Sequence, residues 1–159
     1  MENCNLSRVE LFAFTAQPAT QGPDRKTCRP ILLRLSCGDR AGYGECLLPD
    51  TGKPIDLIRW GAFLKGFRNA TLEEAHLLTI LHADGWTPDQ VRMARAALAE
   101  LAQSVSLQER VPVGVGSRGI QKRSVSSTLI CNHSKIQQVG DDRFLDELFE
   151  QSISYYSIF

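Results

Sequence analysis

Apolar and polar residues alternate with a period of two through residues 29–37, where Ile31, Leu33, Leu35 and Cys37 fall on one face and Arg34 and Ser36 on the other. This is the pattern of a half-buried strand, because successive side chains of extended backbone point to opposite sides of a sheet. Gly38-Asp39 predicts a turn, and Ala41-Gly42-Tyr43-Gly44-Glu45-Cys46-Leu47 predicts the returning strand. Upstream, 9–15 is rich in β-branched and aromatic residues and predicts a first strand. Between them 17–26 reads as a loop, since Pro18, Gly22 and Pro23 cannot sustain a ladder. The expected product is a three-stranded antiparallel meander.

From Pro54 the spacing lengthens to that of helices. Ile55, Leu57, Ile58, Ala62 and Phe63 share one face of a first helix, which Gly66 is expected to end. Thr71 followed by Glu74 opens a second, in the reciprocal pattern that satisfies two orphan amides at once. Asp84-Gly85 is expected to stop it by supplying a left-handed position. Thr87-Pro88 starts a third, with threonine as cap and proline where its missing N–H does no harm. Val91, Ala94, Leu98, Leu101 and Val105 form its apolar stripe, and Ala96, Ala97 and Ala99 are read as room for close packing. Strands and helices come in separate runs, which predicts an α+β fold.

The last third is less periodic. Residues 114–123 are glycine-rich and basic and read as a linker. A strand is expected over 124–130 and a short amphipathic helix over 141–150, where Phe144, Leu145, Leu148 and Phe149 recur at helical spacing. Residues 153–159 form an apolar, strand-like tail. The division read from this is 1–107, a linker at 108–123, and a final unit at 124–159.

The chain has 159 residues, enough for one domain with a proper core. Its 18 lysines and arginines balance 18 aspartates and glutamates, so no global field draws it to nucleic acid or to an anionic membrane. It has no apolar run of the roughly 18 residues that read as a membrane span. Met1-Glu2-Asn3-Cys4-Asn5 lacks the start of a signal peptide, and the expected location is cytoplasmic. Cys4, Cys28, Cys37, Cys46 and Cys131 show no close metal-type or redox-type pair. Free thiols are expected, with a Cys37 to Cys46 bridge across the hairpin as the alternative.

Gly42-Tyr43-Gly44-Glu45 in a meander, followed by three helices of which the last carries Ala94-Arg95-Ala96-Ala97-Leu98-Ala99-Glu100-Leu101, resembles the amino-terminal capping domain of the enolase superfamily, in its mandelate racemase and muconate lactonizing branch. The resemblance spans about residues 6–107. It implies a three-stranded antiparallel meander followed by a three-helix bundle, with 124–159 as a remnant of the start of a (β/α)8 barrel. It further implies that loops 17–26 and 47–53 shape a substrate pocket, with Gln17, Thr20, Leu48 and Thr51 lining it and Gly42, Gly44 and Glu45 as the structural motif. The complete enzyme would be a magnesium-dependent lyase, epimerase or racemase that takes a proton from beside a carboxylate. Such a barrel alone needs about 250 residues, so this chain is expected to hold no catalytic residue, no metal ligand and no cofactor of its own. Its expected partner is a barrel-bearing chain or a second copy, met through Phe144, Leu148, Phe149, Tyr155 and Phe159. A non-catalytic interaction module and a truncated product without function are the alternatives.

Other chemistry is weaker. Gly42 and Gly44 fall short of a dinucleotide fingerprint. His76 and His82 do not share the i, i+4 spacing of a zinc helix. Cys131 and His133 form a conceivable nucleophile and base, and Arg118, Lys122 and Arg123 a small basic cluster with no aromatic residues interleaved.

Overall fold

The computed structural model describes residues 4–18, 27–108 and 141–158. Its elements in order are strands β1 (Arg8–Ala13), β2 (Gln17–Pro18), β3 (Thr27–Cys37) and β4 (Arg40–Pro49), helices α1 (Leu57–Trp60), α2 (Leu72–Leu81), α3 (Pro88–Gln108) and α4 (Asp141–Gln151), and strand β5 (Ser154–Ile158). The strands make one antiparallel sheet in which β3 pairs with β1 on one side and β4 on the other, β2 meets the start of β3, and β5 pairs with β1. The architecture is α+β.

The meander forms where the alternation places it. Gly38, at φ 59°, makes the tight turn that brings Cys37 opposite Arg40. Val9, Leu11 and Ala13 of β1 and Ile31, Leu33 and Leu35 of β3 then point into the principal core beneath the helices. Leu64, Phe67, Ala75, Met93, Ala94, Ala97, Leu98 and Leu101 fill that core from the helical side.

α3 lies on β4 without intervening side chains, which is what the two glycines of the motif permit. A Cβ on Gly44 would stand 2.0 Å from the Met93 carbonyl oxygen, and one on Gly42 would stand 2.2 Å from that of Ala97. Only glycine allows this approach of helix backbone to strand backbone. Polar bonds finish the seam: the Tyr43 N–H donates to Glu100 Oε2 at 2.9 Å, and the Arg40 guanidinium donates to the Ser104 and Val105 carbonyls near the end of α3. The residues that make the packing close are Ala94 and Ala97, whereas Ala96 and Ala99 face solvent.

Both predicted helix starts are realised. Thr71 and Glu74 exchange side-chain and backbone bonds at 3.1 and 2.8 Å at the head of α2. Thr87 and Gln90 do the same at α3, and Gln90 Nε2 also reaches the Trp60 carbonyl at 3.0 Å. The first helix differs from expectation. α1 is one turn, capped by Asp56, and continues as a 3-10 segment, Gly61–Phe67, that runs past Gly66. The 3-10 segment buries Leu64 and Phe67, while Ile58 of α1 is exposed. After α2 a 3-10 turn, Ala83–Gly85, carries the chain onward, and Gly85 is not left-handed. Ahead of α2, Asn69 takes a left-handed conformation at φ 59°, just before the Thr71 cap.

The tail departs most from a free apolar end. β5 is hydrogen-bonded to β1 in register, with Tyr155 opposite Phe12 and Ser157 opposite Glu10. Leu148 of α4 is buried with Phe12 and Leu32 on the face of the sheet away from the principal core. The rings of Phe12, Phe149 and Tyr155 stack edge-on or tilted with centroids 4.6 to 5.4 Å apart. Part of the stretch separated as 124–159 thus completes the sheet begun at 8–49. The expected strand at 124–130 and linker at 108–123 lie outside the described residues. Among the described residues no helix is long and apolar enough to cross a membrane.

Candidate functional site

The two loops expected to shape a pocket start from the same end of the sheet. Gln17 pairs with Cys28 on one side of β3, while Leu48 pairs with Arg29 and Pro49 with Cys28 on the other. Arg29 donates to Asp50 Oδ1 at 3.1 Å, and both side chains are largely shielded from solvent. The same Asp50 oxygen accepts the Gly52 N–H at 3.2 Å, and the Asp50 N–H donates to the Thr27 carbonyl at 3.0 Å. Gly52 sits at φ 72°, which closes the turn. Asp50 therefore bonds this loop, reaching forward across the turn and sideways to β3.

Of the four proposed lining residues, Gln17 and Thr51 are exposed at this rim, and Leu48 is half-buried with its side chain packed against the principal core. Thr20 lies outside the described residues. Glu45 stands opposite Leu32 in the register and is half-buried, two residues along β4 from Tyr43.

A second polar group, missed in the sequence, lies across the outer face of the sheet. Glu10 and Arg34 face each other in the register, are 3% and 5% exposed, and meet at 2.6 Å. Arg34 Nε also donates to the Tyr43 hydroxyl at 3.4 Å, and the Tyr155 hydroxyl donates to Glu10 Oε1 at 3.0 Å. Burial alone would lower the Arg34 pKa, but the hydrogen bonds and charges of Glu10 and Tyr43 outweigh it and raise the value. Burial, together with the Glu10 charge, raises the Tyr155 pKa. The signal was present in one form: a glutamate and an arginine each sit between apolar neighbours in a strand, Val9 and Leu11 around Glu10 and Leu33 and Leu35 around Arg34. A charge within such a run is buried only when paired.

The cysteines correct the expectation of free thiols. Cys37 is bonded to Cys4, with Cα atoms 5.9 Å apart, a separation ordinary for a disulfide. The Cys37 to Cys46 alternative fails on register, because a two-residue turn sets Cys37 against Arg40 and leaves Cys46 opposite Ile31. Cys46 is buried on the core face, where desolvation, with Asp89 nearby, pushes its thiol up to about 12. Cys28 is free and half-buried.

His76 is half-buried, and His82 closes α2 and stacks on Trp86 with centroids 6.1 Å apart. Among the described residues no group of three or more His, Cys, Asp or Glu side chains is arranged to hold a metal ion. Glu10 and Asp50 are each paired with an arginine, Arg34 and Arg29 respectively. Cys131, His133, Arg118, Lys122 and Arg123 lie outside the described residues. Compared with known proteins, the chain matches no family model, no curated protein and no solved structure.

Proposed function

We propose that the chain is a capping module of the enolase type that selects substrate for a catalytic barrel carried by another chain. The observation that supports this most directly is the rim at one end of the sheet, where Gln17 pairs with Cys28 on one side of the start of β3 and the turn at 49–52 is tied to the other by Arg29 and Asp50. An exposed, fixed rim on a rigid sheet is the kind of surface that contributes specificity while another unit supplies the chemistry. The role carries no catalytic residue in this chain. The enzyme so assembled would be a magnesium-dependent lyase, epimerase or racemase, with its metal held on the barrel.

The test is to mix the chain with a barrel-only chain of a mandelate racemase-type enzyme from which the capping domain has been removed. A defined complex by light scattering, weakened when Gln17 and Thr51 are both replaced by arginine, supports the reading. Two separate peaks at all concentrations would overturn it.

A second reading is favoured by the tail. With β5 paired to β1 and Leu148 buried, the last elements serve the chain's own sheet, as in a self-contained, non-catalytic interaction module. Of the partner residues proposed from sequence, Leu148 is not available to a partner, whereas Phe149 and Tyr155 keep 43% and 38% exposure. Phe159 and the Phe144 side chain lie outside the described residues.

A further inference from the structure

The Cys4–Cys37 bond joins the segment just ahead of β1 to the end of β3. The segment around Cys4 runs as a strap between the end of β3 and the head of α2. On one side the Ser7 N–H donates to the Ser36 carbonyl at 2.8 Å, and the Ser7 hydroxyl donates to the same oxygen at 3.2 Å. On the other, the Leu6 N–H donates to the Ala70 carbonyl at 2.8 Å and the Leu72 N–H donates to the Cys4 carbonyl at 3.0 Å, with Asn5 and Thr71 forming an isolated bridge. Leu6, buried beside Ala70 in the principal core, is the strap's apolar anchor. One buried leucine and a handful of backbone bonds make a segment of low local stability, the kind that opens without global unfolding.

We propose that Cys4 and Cys37 form a redox-controlled clasp that sets whether this strap, and with it the head of α2, is closed or open. Both cysteines are only half-buried, so a small disulfide reaches them, while Cys46 is sealed in the core and does not compete. The chemistry is thiol–disulfide exchange with a disulfide of the glutathione type. One cysteine thiolate attacks a sulfur of oxidised glutathione and releases one glutathione thiol. The second cysteine then attacks the mixed disulfide, forms the Cys4–Cys37 bond and releases the other. Two cysteine thiols are oxidised, one disulfide is reduced, and the protons pass to the two departing thiolates. The bond spans 33 residues of sequence, so it removes a long loop's freedom from the opened chain.

The full chain would be equilibrated in glutathione buffers from fully reduced to fully oxidised, its cysteine pairing mapped by peptide mass, and amide exchange followed at Leu6, Ser7 and Leu72. On reduction these three amides should exchange at least about tenfold faster while the β3 and β4 amides hold, with the melting temperature falling by about 10 °C. Cys4→Ser and Cys37→Ser should each show fast strap exchange in every buffer, and Cys28→Ser should respond as the parent does. A bond that never forms in oxidised glutathione, or that reduced glutathione cannot reopen, would overturn the clasp. Strap exchange that is equal in the two states would overturn it as well.

Discussion

At the scale of single residues, the sharpest constraint falls on Gly44. A methyl group there would enter the van der Waals space of the Met93 carbonyl, at 2.0 Å, and of the Ala97 amide nitrogen, at 3.0 Å, and neither backbone atom can rotate away. Gly44→Ala should therefore push α3 off β4 and cost about 3 kcal/mol or more in urea unfolding, at the upper end for overpacked sites. Gly66 makes the comparison: a Cβ there meets only the Leu78 Cδ1 methyl at 3.4 Å, so Gly66→Ala should move the midpoint little. Equal effects at the two positions would mean that α3 is not seated on β4 as described. The motif read as Gly42, Gly44 and Glu45 thus divides by role. The glycines are set by helix packing, whereas Glu45 stands on the outer side of the same strand.

At the scale of elements, the legible features were those fixed by near neighbours in sequence. The alternation through 31–37, the Gly38-Asp39 turn and the Thr71-Glu74 cap each depend on residues within a turn or two, and each forms where expected. The α2 cap carries a pH signature. The Thr71 backbone and side-chain hydrogen bonds favour ionised Glu74 and hold its pKa below the usual 4.5. A depressed folded-state value gives a contribution that is complete above 4.5 and is lost as pH falls through the lower, folded value. In an NMR titration the Thr71 amide should move with a midpoint below 4.5 in the native chain and stay flat in Glu74→Gln. Thr71→Ala should weaken the fold by about 1 kcal/mol at neutral pH. What could not be read locally were the 3-10 winding of Gly61–Phe67 and the Glu10–Arg34 pair. The first is decided by which residues reach the core, and the second by a strand register that brings together residues 24 apart.

At the scale of the whole molecule, the sequence left one question with two opposite answers, namely what the apolar tail packs on. Read along the chain, 141–159 looks like a piece of barrel without its neighbours, because the period of two and the spacing of Phe144 to Phe149 reveal an apolar face and not its partner. In the folded chain the partner is β1, which lies between β3 and β5 and is buried on both faces over Val9–Ala13. Removing β5 would turn β1 from an interior strand into an edge, with unpaired backbone groups and Phe12 uncovered. A chain ending at Leu107 should therefore unfold at lower urea than the full chain and associate at concentrations where the full chain gives one sharp species by light scattering. The intermediate variant Tyr155→Phe, which removes only the hydroxyl bond to Glu10, should lose about 1 kcal/mol and remain monodisperse. If the short chain is instead the better-behaved of the two, β5 is not integral to the sheet and the tail is free to serve a partner. The graded order, full chain above Tyr155→Phe above the chain ending at Leu107, would fix the tail as part of the fold and direct the search for a binding surface to the rim at Gln17 and Thr51.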